Sequence, residues 1–253
     1  MATINSNKAW NAYGKKDPYY GVLTHEEFKD ENLNDENLQK FFDTGKKYVN
    51  HLFEIIEKHI VKDFKPSNIL DFGCGTGRLS IPLAQRGKHV VGMDISPDML
   101  EEGRKNADKF GVHNINFVIS DDSMSALADQ KFDLINSYIV LQHMNLDRGM
   151  QIIKRMLQIL EPGGVGALQV AYLNKKPREK RLAAYLRYRV PLVNNVLNVL
   201  TGAPFNRPLM QMNSYNMNEV MGLMQENGVE SSQFLFEKHG EFWSVMMVFQ
   251  KPV

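Results

Sequence analysis

Cysteine is almost absent: Cys74 is the only one in 253 residues. One thiol excludes a disulfide framework and any cysteine-built zinc or iron–sulfur cage. No apolar run approaches the roughly 18 residues a membrane span needs, and the opening Met1–Asn7 lacks the charged-then-apolar layout of a secretory signal. An excess of one charge is missing too, with Lys+Arg 30 against Asp+Glu 29. No global field therefore draws the chain to nucleic acid. Hydrophobic residues at 43% and charged residues at 23% are ordinary for a globular protein with a sizeable core. The expectation is a soluble chain of a reducing compartment, the cytoplasm, with no metal and no nucleic-acid partner.

What is present is an alternation of apolar runs and helical patterns from Ile69 to Leu173, the signature of parallel strands joined by crossover helices. Ile69–Phe72, His89–Asp94, Asn116–Ser120, Phe132–Asn136 and Val165–Tyr172 read as strands. A helix over Arg78–Arg86 follows the first. Ser96 caps the next, with Pro97 at its first position. Helical spacing of Ile152, Ile153, Met156, Leu157 and Leu160 predicts a helix over Asp147–Leu160, stopped by Pro162-Gly163-Gly164. Near the end come a helix at Asn218–Glu226 and strands at Gln233–Lys238 and Phe242–Gln250. Only His239-Gly240-Glu241 separates those strands, which forces an antiparallel pair.

Two segments stand outside this alternation. Residues 1–66 carry an aromatic arm (Trp10, Tyr13, Tyr19, Tyr20) and a long helix over Asp35–Val61, with Phe41, Tyr48, Leu52, Ile55, Ile56 and His59 on one side. Residues 174–212 form an insertion that starts strongly basic, with seven Lys and Arg from Lys175 to Arg189 against Glu179. Leu182, Tyr185, Leu186 and Val190 fall near helical spacing within it. That stretch reads as a lid over the acceptor, an interfacial helix for peripheral membrane contact, or a face packed on its own domain or on a second copy in a homodimer. The expected division is an arm and helix over 1–66 and a main domain over 67–253.

The chemistry concentrates at Asp71-Phe-Gly73-Cys-Gly75-Thr-Gly77. Glycines between strand and helix let the backbone turn sharply and approach a ligand closely. The spacing is neither that of dinucleotide binders nor that of phosphate loops, and no Lys-Ser or Lys-Thr follows. Asp71 at the strand end repels a pyrophosphate but attracts a cation. Asp94, 17 residues beyond Gly77 at the end of the second strand, can accept two hydrogen bonds from a ribose diol. A nucleoside carrying positive charge suits this pair, and S-adenosylmethionine is one.

The chain resembles the class I (Rossmann-like) S-adenosylmethionine-dependent methyltransferases. The likeness rests on Ile69–Gly77, Val91–Leu100, Phe117–Asp122, Phe132–Ile135 and Leu160–Gly164, in that order within about a hundred residues. It implies an α/β three-layer sandwich, with a seven-stranded, mostly parallel sheet and an antiparallel last strand. It also implies that Asp71, Gly73, Gly75 and Gly77 surround the methionine and ribose, and that Asp94 binds the ribose hydroxyls. Ile95 and Met99 would touch the adenine, Asp121 its amine and Asp122 the ring, unless the latter two form only a solvated turn. Asn136 and Ser137 would border the transferable methyl; Asp133 is structural in the family. His143, just past the fourth strand, is either a general base or a residue that shapes the loop. The implied activity is methyl transfer to oxygen, nitrogen or carbon of a small molecule. A cofactor-binding protein without turnover, a dehydrogenase of similar topology, or a methyltransferase of protein or RNA are the alternatives. No Asn-Pro-Pro-Tyr follows the fourth strand and no Pro-Cys pair exists, which disfavours the amino-methylating nucleic-acid and glutamine types and pyrimidine carbon-5 methylation.

Overall fold

The computed structural model describes residues 6–253 except 122 and 191, and the backbone only of Tyr188. Helices α1 (Ser6–Lys16), α2 (Pro18–Val22) and α3 (Asp35–His59) precede strand β1 (Asn68–Phe72). There follow α4 (Ser80–Ala84), β2 (His89–Asp94), α5 (Pro97–Lys109), β3 (Ile115–Ile119), β4 (Phe132–Ser137), α6 (Leu146–Ile159) and β5 (Leu160–Asn174). Helices α7 (Arg178–Arg189), α8 (Val193–Leu200) and α9 (Met217–Glu226) lead to β6 (Ser232–His239) and β7 (Phe242–Gln250). The seven strands run in the order β3-β2-β1-β4-β5-β7-β6. β7 is antiparallel to both β5 and β6, while the other pairings are parallel.

Alternation along the strands divides the core between two faces. Leu70, Phe72, Val91, Met93, Ile135 and Met247 bury against Ile152, Ile153, Met156 and Leu157 of α6 and Val220 and Met224 of α9. Ile69, Val90, Leu134, Val165 and Val248 bury on the opposite face against Val49, Leu52, Phe53 and Ile56 of α3 and Leu83 of α4. Local chemistry sets the helix starts. Asn34 accepts from the Asn37 N–H at 2.9 Å and Ser96 from the Met99 N–H at 3.4 Å, each satisfying a donor left over in the first turn.

Several expectations need correction. The helix after the glycine turn is regular only over Ser80–Ala84, because the turn itself runs through Leu79. The Pro162–Gly164 segment lies within β5: the chain enters the sheet at Leu160, directly after α6, and Gly163 accommodates the bend at φ +78°. On α3, His59 is exposed in the last turn, where a polar ring is better solvated than buried. The aromatic arm is helical, and Tyr13, Tyr19 and Tyr20 are buried. Among the described residues no helix is long and apolar enough to cross a membrane.

Candidate functional site

The carboxyl ends of β1, β2 and β4 open into one cavity of about 520 Å³, a size suited to a nucleoside-sized ligand. Its floor is the glycine turn. Gly73, Gly75 and Gly77 have φ of +77°, +52° and +84°, the left-handed region where a Cβ is disfavoured. The turn is anchored to β2 by the Gly73 and Cys74 N–H groups, both donating to the Met93 carbonyl at 2.7 and 3.1 Å. Gly73 and Gly75 line the cavity; Gly77 does not, since it faces Phe117 and Gly103 of the core. Its place is to bring α5 close behind the turn.

Asp94 is half-buried on the cavity wall, its Oδ2 accepting from the Gly75 N–H at 2.9 Å and its Oδ1 from the Ser96 N–H at 3.0 Å. Each oxygen keeps a lone pair for a ligand. Burial raises its pKa against the pull of those N–H donors and that of Ile95. Asp71 is 2% exposed. Its Oδ2 accepts from Ser80 Oγ at 2.6 Å and its Oδ1 from Asn136 Nδ2 at 2.9 Å. Burial raises its pKa too, opposed by Ser80, Asn136 and the charge of Arg78. Ile95 and Met99 also line the cavity.

Besides Gly77, three expected residues do not line it. Asn136 is fully buried beneath Asp71, and its Oδ1 accepts from Tyr48 Oη at 2.8 Å, so it holds the carboxylate in place from behind. Ser137 is fully buried, its hydroxyl without a partner. Tyr138, Ile139 and Val140 take the wall beyond β4 instead, Ile139 with a left-handed φ of +60°, a strained value for a β-branched residue. Asp121 is exposed and folds back on its own loop. It accepts from the Ser123 and Ser125 N–H groups at 3.0 and 2.9 Å and from both hydroxyls, which lowers its pKa to about 2. Ser120 lines the cavity in its stead. Asp122 lies outside the described residues.

His143 lines the cavity and is 5% exposed. Its Nδ1 lies 2.7 Å from the Gln211 carbonyl. A carbonyl only accepts, so the neutral ring carries its proton on Nδ1 and leaves Nε2 as a lone-pair base. Burial lowers its pKa to about 4. The Trp10 ring packs on it edge-on at 5.1 Å. The return segment of the insertion positions this group: Asn213 N–H donates to the Gln142 carbonyl at 2.7 Å, Asn213 Nδ2 to Met144 O, and Tyr215 Oη to the Leu141 carbonyl at 2.8 Å.

Sequence reading missed Arg78, Gln142, Arg148, Met210, Met212 and His239 as cavity residues. Only Arg78 had a local signal, a charge next to the last glycine. Gln142 and Arg148 lie between β4 and the first turn of α6, whereas Met210, Met212 and His239 come from a long insertion and a hairpin whose approach the sequence does not encode locally. His25 and Leu23 arrive likewise from the segment after α2.

Residues 69–164 match a methyltransferase domain family. A demethylmenaquinone methyltransferase of Listeria monocytogenes is 30% identical over 132 residues, 51% of this chain and 55% of that protein. A ubiquinone biosynthesis O-methyltransferase of Coxiella burnetii is 28% identical over 146 residues, 53% of this chain and 61% of that protein. The chain thus spans between half and two thirds of the length of these relatives. Magnesium protoporphyrin IX methyltransferase from Synechocystis, solved with bound S-adenosylhomocysteine, superposes with a TM-score of 0.62 over 97% of both chains at 18% identity. An N-methyltransferase from Bradyrhizobium japonicum gives a TM-score of 0.54 at 16% identity, over 84% of this chain and 97% of that one. With the strand order and glycine turn described above, residues 69–164 are similar to a methyltransferase domain family, and the chain has the Rossmann-like fold of the solved methyltransferases.

Proposed function

We propose that the protein transfers a methyl group from S-adenosylmethionine to a small-molecule acceptor, yielding S-adenosylhomocysteine. The observation that carries this reading is that one cavity joins the Gly73–Gly75 turn and Asp94 to a neutral, buried His143. The residues fit the cofactor: left-handed glycines keep side chains off the floor, and Asp94 has lone pairs left for a ribose diol. When bound, S-adenosylmethionine supplies an electrophilic methyl on a sulfonium. The chain's own part is to bind, orient and keep water out. Asp94 would hold the ribose hydroxyls, and Ile95, Met99 and Ser120 would take the base. Asp71 sets a negative charge behind the turn, held there by Ser80 and Asn136.

His143 would take the acceptor's proton at Nε2. A base with a pKa of about 4 is neutral, hence available, at every physiological pH, but it is weak. It suits an acidic hydroxyl, such as a phenol or enol, better than an aliphatic alcohol. The methionine side chains of Met144, Met210 and Met212 give that acceptor an adaptable apolar wall. The names of the relatives, enzymes of demethylmenaquinone and ubiquinone chemistry, point the same way.

The insertion supports peripheral contact with an anionic membrane surface. Leu182, Tyr185, Leu186, Val190, Leu192 and Leu200 are all at least 40% exposed, beside the basic run of α7. A cytoplasmic location belongs to the same proposal, supported by the single free thiol, Cys74.

The test is isothermal titration with S-adenosylmethionine and S-adenosylhomocysteine, followed by chromatography for S-adenosylhomocysteine release with a panel of phenolic, amine and carboxylic acceptors. Binding with acceptor-dependent product is expected. Absence of binding removes the proposal, and binding without product from any acceptor reduces the protein to a cofactor-binding one.

A further inference from the structure

His239, the last residue of β6, brings to the cavity a second fixed imidazole that the reading above leaves without a task. A two-residue turn places it there. His239 pairs with Phe242 across Gly240-Glu241, with Gly240 at φ +60°. The Lys175 N–H ties this turn to the end of β5 by donating to the Glu241 carbonyl at 2.8 Å. Alternation along β6 puts Glu237 on the same face as His239, and both meet Gln169 of β5, a fully buried amide. The Tyr138 ring packs on the imidazole edge-on at 6.1 Å.

The amide sets the position of the ring's proton. Gln169 Oε1 accepts from the Ile139 N–H at 3.0 Å, so the amide cannot be turned round and its Nε2 is the donor end. One of its two hydrogens goes to Glu237 Oε2 at 2.9 Å and the other to His239 Nε2 at 2.7 Å. His239 Nε2 also lies 3.2 Å from Glu237 Oε2, which taken alone would suit a proton on that nitrogen. The shorter contact decides, because two N–H donors cannot face each other at 2.7 Å. Nε2 therefore carries the lone pair and Nδ1 the proton. Among the described residues nothing accepts from that Nδ1–H.

His143 has the opposite arrangement, its Nδ1–H given to the Gln211 carbonyl and its Nε2 open. The two rings are near enough for the charge of one to act on the other. One cavity thus offers a ligand a group that takes a hydrogen and a group that gives one. A carboxylate or phosphate is disfavoured at His239 by the charge of Glu237 beside the ring, and the neighbouring Lys238 ammonium lies over the Trp243 ring at 5.1 Å. A neutral carbonyl oxygen suits an N–H donor in that setting.

Resting on the reading that this cavity takes S-adenosylmethionine and that His143 removes the acceptor's proton, we propose that His239 donates its Nδ1–H to a second oxygen of the acceptor. The protein thereby selects hydroxyaryl or enol acceptors that also carry a carbonyl. Gln169 is the positioning residue that fixes the tautomer. No proton leaves His239: the reacting hydroxyl gives its proton to His143 Nε2 and takes the methyl from the sulfonium, while the carbonyl keeps its hydrogen bond throughout.

Long-range proton–nitrogen spectra of histidine-labelled protein in mildly alkaline buffer read the tautomer directly. The His239 ring, assigned by its loss in His239→Phe, should show a protonated Nδ1 and a bare Nε2; the opposite tautomer overturns the assignment. Acceptor choice is read with the ortho, meta and para hydroxyacetophenones, each against the ethylphenol of the same pattern, which replaces the carbonyl by a methylene. In calorimetric titrations of protein loaded with S-adenosylhomocysteine, at least one ketone should bind about 5- to 10-fold more tightly than its ethylphenol, the range for one net hydrogen bond. His239→Phe, which keeps a ring against Tyr138, should bring that ratio within about twofold. His239→Asn, whose amide nitrogen takes the place of Nδ1, should restore it. Should His239→Phe fail to fold by circular dichroism, His239→Leu carries the same comparison. Loaded wild-type protein that binds none of the probes or shows ratios near one, an unchanged ratio in His239→Phe, or no recovery in His239→Asn overturns the assignment. Wild-type protein that takes no S-adenosylhomocysteine overturns instead the cofactor reading on which it rests, so the two failures are told apart.

Discussion

Gly73→Ala is the sharpest perturbation of the cavity floor. At φ +77° an L-residue costs roughly 1–2 kcal/mol in backbone strain. A Cβ there would also sit 2.3 Å from Cγ2, 2.5 Å from Cγ1 and 2.9 Å from Cβ of Val140. Val140 is β-branched and stiff at χ1, so it cannot rotate all three atoms away; such overpacking costs roughly 1–3 kcal/mol. The smaller entropy of the unfolded alanine chain returns about 0.4–1 kcal/mol. A net loss of about 2–4 kcal/mol is expected, or a Tm lowered by about 5–15 °C for a protein of this size. Differential scanning calorimetry and urea unfolding measure both. The double variant Gly73→Ala/Val140→Ala separates the two causes, because it removes the two closest contacts, those to Cγ1 and Cγ2, and leaves the backbone strain. It should recover the steric part, with a coupling of about 1–2 kcal/mol in the cycle. A Gly73→Ala protein within about 0.5 kcal/mol of wild type, or no recovery in the double variant, would refute the reasoning.

Two further outcomes follow from the site and its insertion. His143 titrates at about 4 when folded, against 6.5 for an ordinary solvated histidine. The unfolded chain therefore binds the extra proton between those values, and stability rises with pH through the window from 4 to 6.5 by up to about 3 kcal/mol, then levels off. His143→Gln should flatten that rise in urea midpoints taken from pH 4 to 8; parallel curves for the two proteins would show that the ring is not buried neutral. For the insertion, sedimentation with phosphatidylglycerol vesicles should pull down the protein, and phosphatidylcholine vesicles should not. Leu192→Ser/Val196→Ser/Leu200→Ser should abolish that retention, whereas a loss of dimer on the same substitutions would assign the face to a second copy.

The sheet was legible because its strands are buried on both faces and so read as continuous apolar runs, as in Ile69–Phe72 and His89–Asp94. Helix starts were legible where a side chain caps them, at Ser96 and Pro97. The cofactor end of the site could be read because turn, Asp71 and Asp94 belong to two neighbouring βα units and are placed by the same local geometry. Asp121 misled because adjacency to a strand end does not fix where a side chain turns: with Ser123 and Ser125 two and four residues on, its carboxylate is captured by its own loop. Asn136 misled in the opposite way, since alternation along β4 turns it into the sheet against Asp71 and Tyr48. Residues brought by the insertion, such as Met210, Met212 and the Gln211 carbonyl, had no local signal, because they reach the cavity from nearly 70 residues beyond His143 in the chain.

The cavity's roof is stitched from opposite ends of the chain. Tyr13 Oη donates to the Pro208 carbonyl at 3.1 Å, Arg207 Nη2 to Tyr20 Oη at 3.1 Å, and Arg148 Nη1 to Asn7 Oδ1 at 2.6 Å. Beneath it, the ladder of seven strands is continuous. Parting a handful of side-chain bonds would open this roof while the sheet stays whole, so for a ligand bound as proposed above, entry and exit would be governed by the seam between α1–α2 and the 207–211 segment.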